Sequence, residues 1–242
     1  MKKITTILLS TIVFGFVGCT TSDSPTNQEL PNDNDYISSV IPEQSSGFGL
    51  EYDITGYFFP SSVLNERGVA YKNYVITTKN SDGYFNNQQR VIEHYIENNK
   101  NAYNEDIITF FQNDKLVKRS NIKKDTIVDI TYDITNGSET TREPYSRLLQ
   151  VGDDLIRNEN GACIVKDRLT GFYTSDVIPL QADPNDNSPH YNSVLHFYCG
   201  TSKGTKIDRY YADGWGEIIS IYTYNDNSVE YAVFDRNSYK NR

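Results

Sequence analysis

The chain reads as a mainly β protein, an antiparallel meander forming a curved half-barrel, barrel or sandwich with little helix, and three observations predict it. The first is period-two alternation: Val128, Ile130, Tyr132 and Ile134 interleave with Asp129, Thr131 and Asp133, as one face of a half-buried strand requires. The second is the density of turn signals between short apolar runs, at Asn80-Ser81-Asp82-Gly83, Asn113-Asp114, Asn136-Gly137, Asn158-Glu159-Asn160-Gly161, Asp213-Gly214 and Asn225-Asp226-Asn227. The third is the near absence of a helical stripe of useful length.

Taken in order, Leu50, Tyr52, Ile54 and Phe58 alternate with Glu51, Asp53 and Thr55, which predicts a first strand. Further strands are expected at 70–78, 106–112, 115–120, 128–134, 145–151, 162–167, 193–199, 206–212, 217–224 and 228–234. Residues 86–100 fit two patterns. Val91, Ile92, Tyr95 and Ile96 suit a helix, whereas Ile92, His94 and Ile96 suit one strand face; a strand is the weakly favoured reading. Short links make neighbouring strands antiparallel, and a sheet with one apolar face must close or stack to cover it. The strands are too short and too interrupted by charge for a transmembrane barrel. No internal repeat supports a propeller or solenoid.

The N-terminus has a different character. Lys2 and Lys3 precede an apolar stretch from Ile4 to Val17, the order of a secretory signal peptide. The stretch is shorter than the ~20 residues a stable transmembrane helix needs. It ends in Phe16-Val17-Gly18-Cys19, which resembles the lipobox of bacterial lipoproteins, with Phe16 where that family usually has Leu. The resemblance covers only this segment. It implies a diacylglyceryl thioether on Cys19, cleavage after Gly18 and acylation of the new amino group, hence attachment to a membrane through lipid. A simple signal peptide cut elsewhere, leaving Cys19 an ordinary thiol, is the alternative. Thr20 rather than Asp follows Cys19, which by analogy favours the outer membrane in a Gram-negative host. Residues 20–46, rich in Ser, Thr, Asn, Asp and Pro, read as a flexible tether, and 47–242 as a single β-rich domain.

Removing residues 1–18 takes away two lysines and no acid, leaving 21 basic against 32 acidic side chains and a charge of −11. Such a chain repels nucleic acid, and no basic run opposes the trend. With Cys19 set aside for lipid, Cys163 and Cys199 form an even pair in an oxidising compartment and predict a disulfide; two separate buried thiols are the alternative.

Signals for chemistry are sparse. His94, His190 and His196 lie in no metalloprotease, nucleophile-elbow, phosphate-loop or dinucleotide motif. The segment Asp183-Pro-Asn185-Asp-Asn187 echoes a calcium loop, but Ser188 stands where the turn glycine belongs and Val194 where the bidentate Glu belongs, so it reads as an exposed loop. Asp208, Glu217 and Glu230 are available carboxylates with nothing to pair them. Trp215, in Asp213-Gly214-Trp215-Gly216, is expected at a hairpin tip, packed on the domain's own edge or lining the mouth of a ligand cavity. No cofactor is implied. The leading expectation is a non-enzymatic envelope lipoprotein binding an apolar ligand or an envelope protein; a structural or assembly subunit without a cavity and a hydrolase of cell-wall or extracellular polymer are the alternatives.

Overall fold

In the computed structural model, residues 50–65, 68–86 and 90–241 are described. The expected leader, Cys19 and the tether lie outside them.

The described chain is mainly β, as expected. Twelve strands form one antiparallel, nearly closed barrel-like sheet. In chain order they are β2 (Val69–Lys79), β3 (Arg90–Lys100), β4 (Asp106–Gln112), β5 (Lys115–Ile122), β6 (Thr126–Tyr132), β7 (Glu139–Ser146), β9 (Asp154–Asn158), β10 (Gly161–Tyr173), β11 (His190–Thr201), β12 (Lys206–Ala212), β13 (Gly216–Thr223) and β14 (Val229–Asn241). Two short strands, β1 (Tyr52–Asp53) and β8 (Leu148–Leu149), pair with each other outside that sheet. Of the stretch 86–100, residues 87–89 lie outside the described residues and Arg90–Lys100 is a strand, with Ile92, His94 and Ile96 on one face.

The sheet is two meanders sewn together. Strands β2 to β7 run outward from one side of a seam and β13 back to β9 from the other, and the seam is the β2–β14 ladder, from Val229 opposite Lys79 to Asn241 opposite Ala70. The free edges are therefore β7 and β9. They approach each other closely enough for Asn158 Nδ2 to donate to Glu143 Oε1 at 3.1 Å. Closure matters because an open edge presents unpaired backbone groups, and here β7 also carries Pro144 and alternating charge.

Residues 50–58 do not form the expected strand. After β1 the chain makes two single-turn helices, α1 (Thr55–Phe58) and α2 (Ser61–Leu64). The reason is location. Ile54, Phe59 and Val63 are wholly buried inside the barrel, where no strand edge is available, so the backbone satisfies itself locally. Ile54 and Phe58 are also i, i+4, which suits a helix as well as it suits a strand. This segment is the plug around which the main core is built, with Ala70, Ile96, Ile108, Ile127, Phe197 and Tyr211 packed against it.

A second correction concerns which face of β6 points inward. The alternation is right, but Asp129 and Thr131 share the plug-facing side with Ile127, while Val128, Ile130 and Tyr132 face out. Ile130 lies between Arg119 and Arg142 across the outer face of the sheet. The barrel interior thus carries charge.

Candidate functional site

Two concavities stand out, one inside the barrel and one outside.

The interior cavity holds about 40 Å3 and is lined by Phe58 of the plug, Lys72, Tyr74, His94, Lys118 and Glu217, among others. Register explains the gathering: Lys72 lies opposite His94, and Tyr74 opposite Phe234, all on the inward face. Lys72 Nζ donates to the carbonyls of Trp215 at 2.8 Å and Glu217 at 2.5 Å, and sits 4.3 Å from the Phe234 ring centroid. Burial holds this amine down at about 7, against the partial support of Glu217. Tyr74 Oη donates to the Glu217 carbonyl at 2.7 Å. The Glu217 carboxylate is held by Tyr211 Oη at 3.3 Å, by Ser220 Oγ and by Arg209 at 3.7 Å. His94 is buried with Nε2 unpartnered, and burial, then Lys72 and Lys118, push it down to about 3, so it is neutral. Such a space accommodates on the order of three water molecules and no lipid chain.

The outer groove is larger, about 300 Å3, and is open to solvent. Its floor is Tyr71, Asn73, Glu93 and Tyr95; one wall is the irregular stretch of β14 with Ser238 and Lys240, the other the β4–β5 turn at Asn113 and Asp114. Tyr71, Tyr95 and Phe111 are cross-strand neighbours, with ring centroids 5.1 and 5.3 Å apart, making an aromatic row perpendicular to the strands. Tyr95 Oη donates to Glu97 Oε2 at 2.7 Å, which fixes the ring; that bond, with burial, pushes the phenol up to about 12.

Both walls are built in. Asn113 and Asp114 take positive φ of 49° and 62°, the two-residue hairpin turn their types favour, and Asn113 N donates to the Glu93 carbonyl at 3.1 Å. On the other side the register of β14 slips between Asp235 and Lys240; Ser238 Oγ donates to the Asp235 carbonyl at 2.5 Å and accepts from Asn73 N at 2.9 Å. With strands about 4.8 Å apart, the floor from β14 to β4 spans roughly 14 Å.

Cys163 and Cys199 lie directly opposite each other on β10 and β11 and form the expected disulfide. Trp215 stands at the β12–β13 hairpin tip, half-buried, with its ring against Tyr239 at 5.2 Å, Tyr191 and Phe234, and with Arg236 above it at 4.8 Å. Its neighbours Gly216 and Glu217, rather than its ring, border the interior cavity. Asp208 faces outward, where His196 Nε2 bonds it at 2.7 Å and stacks on Tyr210. His190 packs against Tyr173 with its ring tilted, centroids 4.8 Å apart. Among the described residues no group of three or more His, Cys, Asp or Glu is placed to hold a metal ion.

The segment 183–188 is not simply an exposed loop. Asn185 is buried, donating to Asp183 Oδ1 at 2.7 Å and the Phe234 carbonyl at 3.2 Å and accepting from Arg236 N, so it pins this β10–β11 connection onto β14.

The aromatic row was the residue set that sequence patterns missed. Tyr95 lay in the stretch with two competing periodicities, and only strand geometry puts it beside Tyr71. Compared with known proteins, the chain matches no family model, no curated protein and no solved structure.

Proposed function

We propose that the protein is a lipid-anchored binding protein of the cell envelope, without catalytic activity, and that its ligand is a sugar-bearing polymer laid across the outer groove. The groove carries this reading: an aromatic floor of Tyr71 and Tyr95 beside amides, carboxylates and a lysine is suited to a ring with one apolar face and a rim of hydroxyls. The Phe16-Val17-Gly18-Cys19 sequence supports the lipid anchor, and Thr20 supports an outer-membrane address. Several acyl chains would hold the domain stably, with residues 20–46 as reach. An apolar ligand would need room inside the barrel, and the plug fills that room.

Two measurements test the reading. Cell fractionation should move the protein from membrane to soluble extract when Cys19→Ser is introduced. Purified envelope polysaccharide should retain the domain on affinity electrophoresis, and Tyr71→Ala with Tyr95→Ala should abolish retention while leaving the melting transition in place. Retention that survives the double substitution would overturn the groove as the site. Absence of retention by any surface or cell-wall polysaccharide would overturn the ligand class.

A further inference from the structure

We propose that Lys118 and Asp129 become joined by an amide bond between their side chains, formed by the folded protein itself with Glu143 as the proton carrier. The two residues lie on the adjacent strands β5 and β6, with Lys118 Nζ 3.3 Å from Asp129 Oδ2 and side chains only 8% and 5% exposed. The pair is enclosed by the Phe110 ring, whose centroid is 4.3 Å from Nζ, and Tyr145 lies near the carboxylate. Ser120 Oγ donates to the other oxygen, Asp129 Oδ1, at 2.5 Å and fixes the carboxylate. Glu143 stands directly opposite Asp129 on β7, where burial, against the hydrogen bond from Asn158 and with the Asp129 charge adding to it, raises its pKa.

This is the arrangement that favours condensation over a lasting ion pair. Burying two charges carries a large desolvation cost before their attraction is counted, and a neutral amide removes both charges. Holding the reacting atoms in place supplies an effective concentration of roughly 10⁵ M or more. The step balances without an oxidant. A proton passes from the ammonium to the Asp129 carboxylate, leaving a neutral amine and a carboxylic acid. The Nζ lone pair then adds to Cγ. Glu143 gives its proton to one hydroxyl of the tetrahedral carbon and recovers a proton from nitrogen. The C–O bond breaks, water leaves, and one C–N bond has replaced one C–O bond. The pair Lys100 and Asp106, at 3.0 Å but with side chains 24% and 32% exposed, is solvated and has no such enclosure, so it stays ionic.

The test is intact-mass spectrometry on the exported chain carrying Cys19→Ser, so that lipid does not obscure the mass. The expected mass falls below that of its processed sequence by two hydrogens, for Cys163–Cys199, and by one water, and the water deficit persists after reduction. A tryptic digest should contain a branched peptide linking Lys118 to Asp129, with no cleavage after Lys118. Glu143→Gln and Asp129→Ala should each restore the missing water, whereas Lys100→Arg should not. A native chain lacking only the two hydrogens and cut normally after Lys118, or a water deficit mapped to other residues, overturns the proposal. Because the native chain alone decides this, a variant that fails to fold leaves the result intact.

Discussion

Lys72 and His94 face each other across β2 and β3 inside the barrel, and burial pulls both below their ordinary values, to about 7 and about 3. The consequences for stability fall in different pH windows. Below about 6.5 the unfolded chain protonates His94 while the folded one refuses the proton until about 3, so stability falls as pH drops through that interval, by roughly a few kcal/mol. Melting temperatures measured from pH 7 to 4 should decline less steeply in His94→Gln. Lys72 acts at the alkaline end: between about 7 and 10.5 the unfolded chain holds a proton that the folded chain has released, so stability rises with pH there. Urea midpoints at pH 7 and 9.5 should show this rise in the native chain and lose it in Lys72→Met. Neither residue is legible as special in the sequence. Lys72 sits in an ordinary strand pattern, and only the register that puts it under Gly216 and Glu217 shows that its charge is buried. Asp129 and Thr131 mislead for the same reason: polar alternation marks a face, but in a barrel plugged by its own residues 54–64 a polar face can be the inner one.

At the scale of elements, the plug and the β12–β13 hairpin hold each other. Ser61 N donates to the Gly214 carbonyl at 2.9 Å and Gly214 N to the Gly56 carbonyl at 2.8 Å, while Phe58 packs on Tyr145, Phe197 and Tyr211 from strands on different parts of the wall. Phe58→Ala should cost about 3–5 kcal/mol in urea unfolding, since the ring bridges surfaces that cannot collapse together. Gly216 has a φ of +76°, and an added Cβ would lie 3.1 Å from the Phe58 carbonyl oxygen. Gly216→Ala should therefore cost roughly 1–2 kcal/mol from conformation alone, measurable in the same assay. Sequence located the hairpin because its turn chemistry is local. It misassigned the plug because Leu50 to Phe58 satisfies both periods, and what decides between them is whether a neighbouring strand edge exists.

For the molecule as a whole, most strands were legible, but β9 and most of β7 were not, and the expected strand at 145–151 is instead the end of β7, the short β8 and a turn. Strand order was not legible either, because turn signals join neighbours but say nothing of how β14 finds β2 across most of the chain. That seam is the most non-local ladder in the sheet, and the opposite side, between β7 and β9, is the gap. The Cys163–Cys199 bridge lies beside that gap, tying β10, the strand next to the free edge, to β11. Its residues are 36 apart in sequence, so on the chain-entropy account removing it costs about 4 kcal/mol through the unfolded state. If that is its whole role, Cys163→Ala with Cys199→Ala should lower the urea midpoint while hydrogen exchange in β9 and β10 relative to the β2–β14 seam stays unchanged. If the bridge also holds the open margin of the barrel, exchange should accelerate selectively in β9 and β10. The second outcome is expected, because β9 pairs through four residue positions on one side only and its other side meets β7 through few contacts, so β10 is the first continuous strand that can anchor it.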